Sequence, residues 1–216
     1  VRLVAERGEA MQVAAEEREG AMAVVLGLDD DDVQAACSRA EADVWVANHN
    51  APGQVVIAGV PEAVDAASAI AKDLGAKRVV PIPVGGAFHT PLMSSARDRL
   101  RKALAQVEWR DADRPVVANV DARPHTAAED WAPLLTSQLL SPVRFRQCLL
   151  TLERHGQLDI LVQNAGVYPW QLIEDIEPDD RSGSPYSQSG RVPRQRDPVE
   201  SQIRDRALHL DALSGR

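Results

Sequence analysis

Between Gly20 and Gly85 the apolar runs, turn residues and helix signals alternate in an order that leaves few architectures open. Ala21-Met22-Ala23-Val24-Val25-Leu26 is a short apolar run of strand length, and the cluster Asp29–Asp32 then supplies an N-cap and negative charge for a helix running to about Ala40. Val44–Ala47 reads as a second strand, Asn48-His49-Asn50-Ala51-Pro52-Gly53 as a turn, and Gln54–Ala58 as a third strand. A helix follows over Pro61–Leu74, with proline at its start and Gly75 at its end. Lys77–Val84 closes the series as a fourth strand.

The order β-α-β-β-α-β is that of a ferredoxin-like unit, an antiparallel sheet with two helices on one face, so the fold class expected is α+β. Outside this unit, residues 1–15 place Leu3, Val4, Met11 and Ala14 at helical spacing and leave Arg7 near the polar edge. A helix over Pro91–Val107, a strand over Pro115–Val120, helices around Leu134 and Leu149 and a strand over Leu158–Val162 complete the pattern. From Glu177 onward Pro, Ser, Gly, Arg and Gln dominate; residues 177–216 read as a disordered tail, with a short helix over Val199–Leu213.

Composition narrows the function classes. The net charge of −8 speaks against a nucleic-acid partner, because binding a polyanion rests on a basic surface that releases counterions. No stretch approaches the roughly 18 uninterrupted apolar residues of a membrane span, and no basic-then-apolar signal opens the chain, so no membrane role and a cytoplasmic location are expected. Cys37 and Cys148 have no His or Cys at metal-ligand spacing and read as buried free thiols; no metal and no cofactor are implied. Val1 opens the chain in mid-helix pattern, which hints at an upstream part.

Gly85-Gly86-Ala87-Phe88-His89-Thr90-Pro91-Leu92-Met93 sets a histidine between a strand and a helix, after a flexible glycine pair. An imidazole presented there can take and return a proton near neutrality; equally, a loop histidine can simply cap the next helix. His49, His125, His155 and His209 read as surface histidines, and Asp29–Asp32 as a helix cap rather than a metal site.

A series of motifs resolves the choice. Arg7-Gly8 with Met11-Gln12, Gly20-Ala21-Met22-Ala23, Leu26-Gly27-Leu28-Asp29-Asp30, Asn48-His49-Asn50-Ala51-Pro52-Gly53-Gln54-Val55-Val56-Ile57-Ala58-Gly59, Gly86-Ala87-Phe88-His89, Asn119-Val120-Asp121-Ala122, and Gln138-Leu139 with Ser141-Pro142-Val143 resemble malonyl-CoA:acyl-carrier-protein transacylases in order and spacing. The resemblance covers roughly residues 1–158. It implies malonyl transfer from coenzyme A to acyl carrier protein in fatty-acid or polyketide synthesis, with malonyl-CoA and acyl carrier protein as partners. It also implies a ferredoxin-like subdomain (residues 20–85) beside pieces of a larger α/β hydrolase-like acyltransferase domain (residues 1–19 and 86–162). By resemblance His89 is the catalytic histidine, Gln138 the residue whose backbone carbonyl orients it, Arg7 the partner of the malonate carboxylate, and Asn48 and Asn50 residues lining the same cleft.

Three departures qualify the resemblance. The family's nucleophile lies on a Gly-His-Ser-x-Gly elbow, and no Gly-x-Ser-x-Gly occurs in these residues. The chain is therefore expected to be a fragment, inactive alone, with a complementing N-terminal fragment as a further partner, and to expose apolar surface that favours aggregation. Leu158–Gly166 (Leu-Asp-Ile-Leu-Val-Gln-Asn-Ala-Gly) is similar to a strand of short-chain dehydrogenases, so residues 163–176 read as a junction; yet no Gly-rich dinucleotide turn and no Tyr-x-x-x-Lys occur, which argues against a reductase. The tail resembles neither family. A non-catalytic module that binds acidic carrier proteins through Lys72, Lys77, Arg78, Arg97, Arg99 and Arg101 is the alternative.

Overall fold

A computed structural model describes residues 2–154. The expected strand over Leu158–Val162, the 163–176 junction and the 177–216 tail, with His155 and His209, lie outside the described residues. The architecture is mixed α/β: helix α1 (Arg2–Glu17), β1 (Ala21–Leu26), α2 (Asp30–Arg39), β2 (Val44–Ala51), β3 (Gln54–Gly59), α3 (Pro61–Asp73), β4 (Arg78–Ile82), α4 (Ser94–Leu104), β5 (Val116–Ala118), β6 (Arg123–His125), α5 (Ala128–Gln138) and α6 (Phe145–Arg154).

Strands β1–β4 form an antiparallel sheet in the order β2-β3-β1-β4. Strand alternation gives it two apolar faces. Ala23 and Val25 of β1, Val44 and Val46 of β2, and Val55 and Ile57 of β3 point to one face, where they bury Val33, Ala36 and Cys37 of α2 and Ala63, Val64, Ala67 and Ala71 of α3. Met22, Ala47, Val56 and Ala58 point to the other, and Ala87 and Leu92 from the segment after β4 fill that side. Helix α3 ends as its sequence dictates: Gly75 takes φ +105°, its N–H bonds Lys72 O at 3.0 Å, and the Ala76 N–H bonds Ala71 O at 2.9 Å, satisfying carbonyls the helix leaves open.

A second core joins Ala10 and Ala14 of α1 to Ala96, Leu100 and Leu104 of α4, with Met93 and Leu139. Sequence spacing errs at Val4, which is 72% exposed: the inward face of α1 runs through Leu3, Ala10, Met11 and Ala14 instead. The turn expected at Asn48–Gly53 is shorter than the sequence suggests. β2 continues through Ala51, because Asn48, His49 and Ala51 pair with Val56, Val55 and Gln54 across two register shifts, leaving Pro52 and Gly53 as the turn. The helix expected over Pro91–Val107 is a 3-10 turn (Pro91–Met93) followed by α4. The strand expected over Pro115–Val120 shortens to β5, which turns back through Ala122 (φ +60°) to pair with the unexpected β6.

Both rims of the four-stranded sheet carry a distinctive residue. Gly27 N–H bonds Gly53 O, which sets the odd residues of β1 toward β3 and the even ones toward β4; Pro81, opposite Ala23, therefore sits on the outer rim of β4, where its missing N–H breaks no ladder bond. On the outer rim of β2, Val143 accepts from His49 N–H and donates to Ala47 O, both at 2.8 Å, in a single parallel bridge.

Where the two cores meet, backbone approaches backbone. A Cβ at Gly20 would fall on Ala87 N, and one at Gly86 would stand 2.9 Å from Ala15 Cβ. Gly20→Ala is therefore expected to destabilise the protein by about 1–3 kcal/mol, the range for overpacking a filled site. Urea denaturation measures this, and a variant within 0.5 kcal/mol of wild type would show that the 86–87 backbone yields freely.

Candidate active site

Residues 87–93 are fixed at both ends. Ala87 and Leu92 are buried against the sheet, and Met93 is buried against α1 and α4. Between them Thr90, wholly buried, donates its hydroxyl to Ala87 O at 2.6 Å and accepts from Leu92 N–H at 3.3 Å, capping the 3-10 turn. Thr90 thus does the capping that a loop histidine would otherwise do. His89 stands beside it at φ +62°, a left-handed backbone conformation uncommon for a residue with a side chain and held here by the packing on either side.

Gln138 is the last residue of α5, so its carbonyl has no intrahelical partner; Ser141 N–H reaches it only at 3.5 Å. His89 Nδ1 lies 3.1 Å from that oxygen. When Nδ1 carries the proton and donates it to Gln138 O, the ring's orientation is set and Nε2 keeps its lone pair, the form a general base requires. Arg7 reaches the same residue from α1: its Nη2 donates to Gln138 Oε1 at 2.8 Å. Gln138 Nε2 in turn lies 3.0 Å from His89 Nδ1. Three residues from α1, the 87–93 segment and α5 thereby converge.

Burial governs the electrostatics. It lowers the affinity of Arg7 for its proton. It also pushes the His89 pKa below its ordinary value; the bond to the Gln138 carbonyl works the other way, and the nearby Arg7 charge adds to the lowering. His89 is therefore neutral near pH 7 and able to accept a proton.

Of the other residues singled out, Asn48 and Asn50 lie half-buried in the second half of β2, and no side-chain hydrogen bond joins either to His89, Arg7 or Gln138. Two surface hollows, of about 430 and 480 Å³, are lined by residues of 121–124 and 147–154 and by residues of α4 and 136–141 respectively; neither is lined by His89, Arg7 or Gln138. The expectation of solvated histidines fails at His49 and His125. His49 Nδ1 bonds Asp30 Oδ2 at 2.8 Å, and Arg146 grips the same carboxylate with two bonds of 2.8 and 3.2 Å. His125 lies between Asp130 (3.1 Å) and Asp121 (3.0 Å). Asp29, at the N-cap position of α2, makes no side-chain cap bond, and Asp30 in the first turn serves this tertiary contact. Periodicity gives no sign of this: Asp30 and Arg146 are 116 positions apart. Among the basic residues, Arg99 is held by Glu6 and Glu9 and Arg97 by Asp98.

A histidine held at a backbone carbonyl, with an arginine beside it, sits on this mixed α/β frame, and the chain belongs to the acyl transferase domain family, whose model matches residues 1–163. It is 40% identical over 156 residues to the malonyl CoA-acyl carrier protein transacylase of Bacillus subtilis, covering 71% of this chain and 49% of that protein. The corresponding transacylase of Escherichia coli is 42% identical over 158 residues, with coverages of 72% and 51%. Among solved structures, an acyl carrier protein S-malonyltransferase from Vibrio cholerae superposes with a TM-score of 0.69 at 40% identity, covering 72% of this chain and 51% of that one. A malonyl-transacylase in complex with its type II PKS acyl-carrier protein gives the same TM-score, identity and coverages. The chain spans about half the length of the curated relatives it matches.

The two buried-edge histidines are expected to titrate on opposite sides of the ordinary value of about 6.5. His89 falls below it for the reasons above. At His125 partial burial opposes the charge, but the bonds to Asp130 and Asp121 outweigh it and hold the pKa above. The stability effects have opposite signs. For His89 the unfolded chain binds the proton more readily, so its contribution is full above about 6.5 and is lost as pH falls; for His125 the contribution is full below about 6.5 and is lost as pH rises through the folded value. Histidine NMR titration checks both, and the reverse order of midpoints would contradict the site's electrostatics.

Proposed function

We propose that this chain carries the base and the carboxylate-recognition half of a malonyl-CoA:acyl-carrier-protein transacylase site, moving malonate from coenzyme A to the phosphopantetheine thiol of acyl carrier protein. The convergence of His89 on the Gln138 carbonyl, with Arg7 alongside, is the observation that carries this reading. In it His89 Nε2 accepts a proton from the attacking serine and returns it to the departing coenzyme A thiolate; in the second half-reaction it accepts the proton of the attacking carrier thiol and returns it to the departing serine oxygen. Gln138 O holds the Nδ1–H tautomer. Arg7 offers a planar fork of donors to the free carboxylate of malonate, which an acetyl group lacks. Asn48 and Asn50 line the approach.

The serine falls outside these 216 residues, so they are inactive unless a Gly-His-Ser-x-Gly segment is supplied by further sequence or by a complementing fragment. The β2-β3-β1-β4 order supports reading residues 20–85 as the ferredoxin-like subdomain, with residues 1–19 and 86–162 belonging to the larger acyltransferase domain: α1 packs against α4 and Leu139. Two buried free thiols, Cys37 raised to about 12 by burial, suit a reducing cytoplasmic setting.

The test is transfer of labelled malonate from malonyl-CoA to acyl carrier protein by the chain alone and mixed with a relative's N-terminal segment carrying the serine elbow. Activity is expected only in the mixture and is expected to fall about 10²- to 10⁴-fold with His89→Ala, the range for losing a positioned general base. Arg7→Ala is expected to cost roughly ten- to a hundredfold in preference for malonyl over acetyl groups, the worth of hydrogen bonds to a charged group. Activity of the chain alone would contradict the assignment of the nucleophile. No activity from a folded mixture would favour a carrier-binding module instead.

A further inference from the structure

Gln138 presents two groups of opposite character to one ring nitrogen. Its backbone oxygen, 3.1 Å from His89 Nδ1, can only accept, and so asks for Nδ1–H. Its side-chain amide nitrogen, 3.0 Å from the same atom, can only donate, and so asks for a bare Nδ1. Both cannot be satisfied at once. The amide orientation is not arbitrary, because Arg7 Nη2 stands 2.8 Å from the other end of the amide and has only protons to offer. Arg7 therefore holds Oε1 toward itself and NH₂ toward the histidine. In this state the side chain of Gln138 works against the tautomer that its backbone favours.

We propose that the Gln138 side chain is a positioning residue that couples Arg7 to His89: a carboxylate seated on Arg7 releases Oε1, the amide turns over, and both Gln138 oxygens then accept from His89 Nδ1–H, leaving Nε2 as the base. This deepens the reading above and rests on its assignment of Arg7 as the carboxylate site. The proton balance is simple: the Nε2 proton leaves to water and water supplies the one at Nδ1. The Arg7 charge, which disfavours a protonated His89 when unpaired, is neutralised in the same event. An acyl group without a free carboxylate leaves the amide where it is, so discrimination reaches the chemical step as well as binding.

Two-bond ¹H–¹⁵N NMR spectra of the whole chain, labelled with ¹⁵N-histidine at a pH where the ring is neutral, read the tautomer directly; His89→Gln assigns the signals. Free malonate is the probe and malonamide, its uncharged analogue without a carboxylate, the control. Malonate is expected to raise the Nδ1–H to Nε2–H ratio by about tenfold, the scale of one net hydrogen bond, and malonamide to leave it unchanged. Gln138→Leu, which keeps the carbonyl and removes the amide, and Gln138→Glu, whose carboxylate can only accept, are each expected to show the Nδ1–H form without malonate. An unchanged ratio in both variants, or malonate that binds saturably and in an Arg7-dependent way without moving the ratio, would overturn the coupling while leaving the carboxylate site intact. Malonate without Arg7-dependent binding would instead overturn the carboxylate site, and the trigger with it.

Discussion

The antiparallel sheet is apolar on both faces, and its own two helices cover only one. Covering the second face with Ala87 and Leu92 is the constraint on which the rest of the described structure depends. A chain segment pinned there at both ends has little freedom between. His89 takes a left-handed conformation because the residues around it are already committed: Ala87 against Gly20 and the sheet, Thr90 inside the turn, Met93 among α1 and α4. Hydrophobic burial, at about 25 cal/mol per Å² of apolar surface, thus supplies the energy that holds a polar side chain in an unfavourable backbone conformation.

Gln138 closes the same arrangement from the other side. It is at a helix terminus, so its carbonyl is open for a side-chain donor, and Leu139 beside it is buried in the α1–α4 core. Arg7 comes from α1, the helix that this core packs. The three polar residues are brought together by the apolar residues one to four positions away from each of them. Orientation of the ring is a by-product of how α1, α4 and α5 pack.

Much of this was legible in the sequence where period and punctuation are strong. The apolar run of β1 and Pro61 and Gly75 at the ends of α3 carry their meaning locally. The roles proposed for His89, Gln138 and Arg7 came from motif resemblance, since nothing local separates Gln138 from any polar residue at a helix end. What escaped was set by distant partners. Asn48–Asn50 contain turn formers, yet β3 on one side and Val143 on the other extend the strand through them. Asp30 looks like a helix cap until Arg146 and His49 arrive, and Val4 fits the helical period of α1 until the neighbouring helix shows which stripe it meets.

The rims of the sheet bear on how this protein behaves at high concentration. Strand-by-strand polymerisation requires an unbroken row of free N–H and C=O groups on an outer edge. One outer edge of this sheet is interrupted by Pro81, and the other has its middle taken by Val143. A second molecule seeking to extend this sheet would meet a missing donor on one side and an occupied ladder on the other, so neither rim of this sheet is an open template for an added strand.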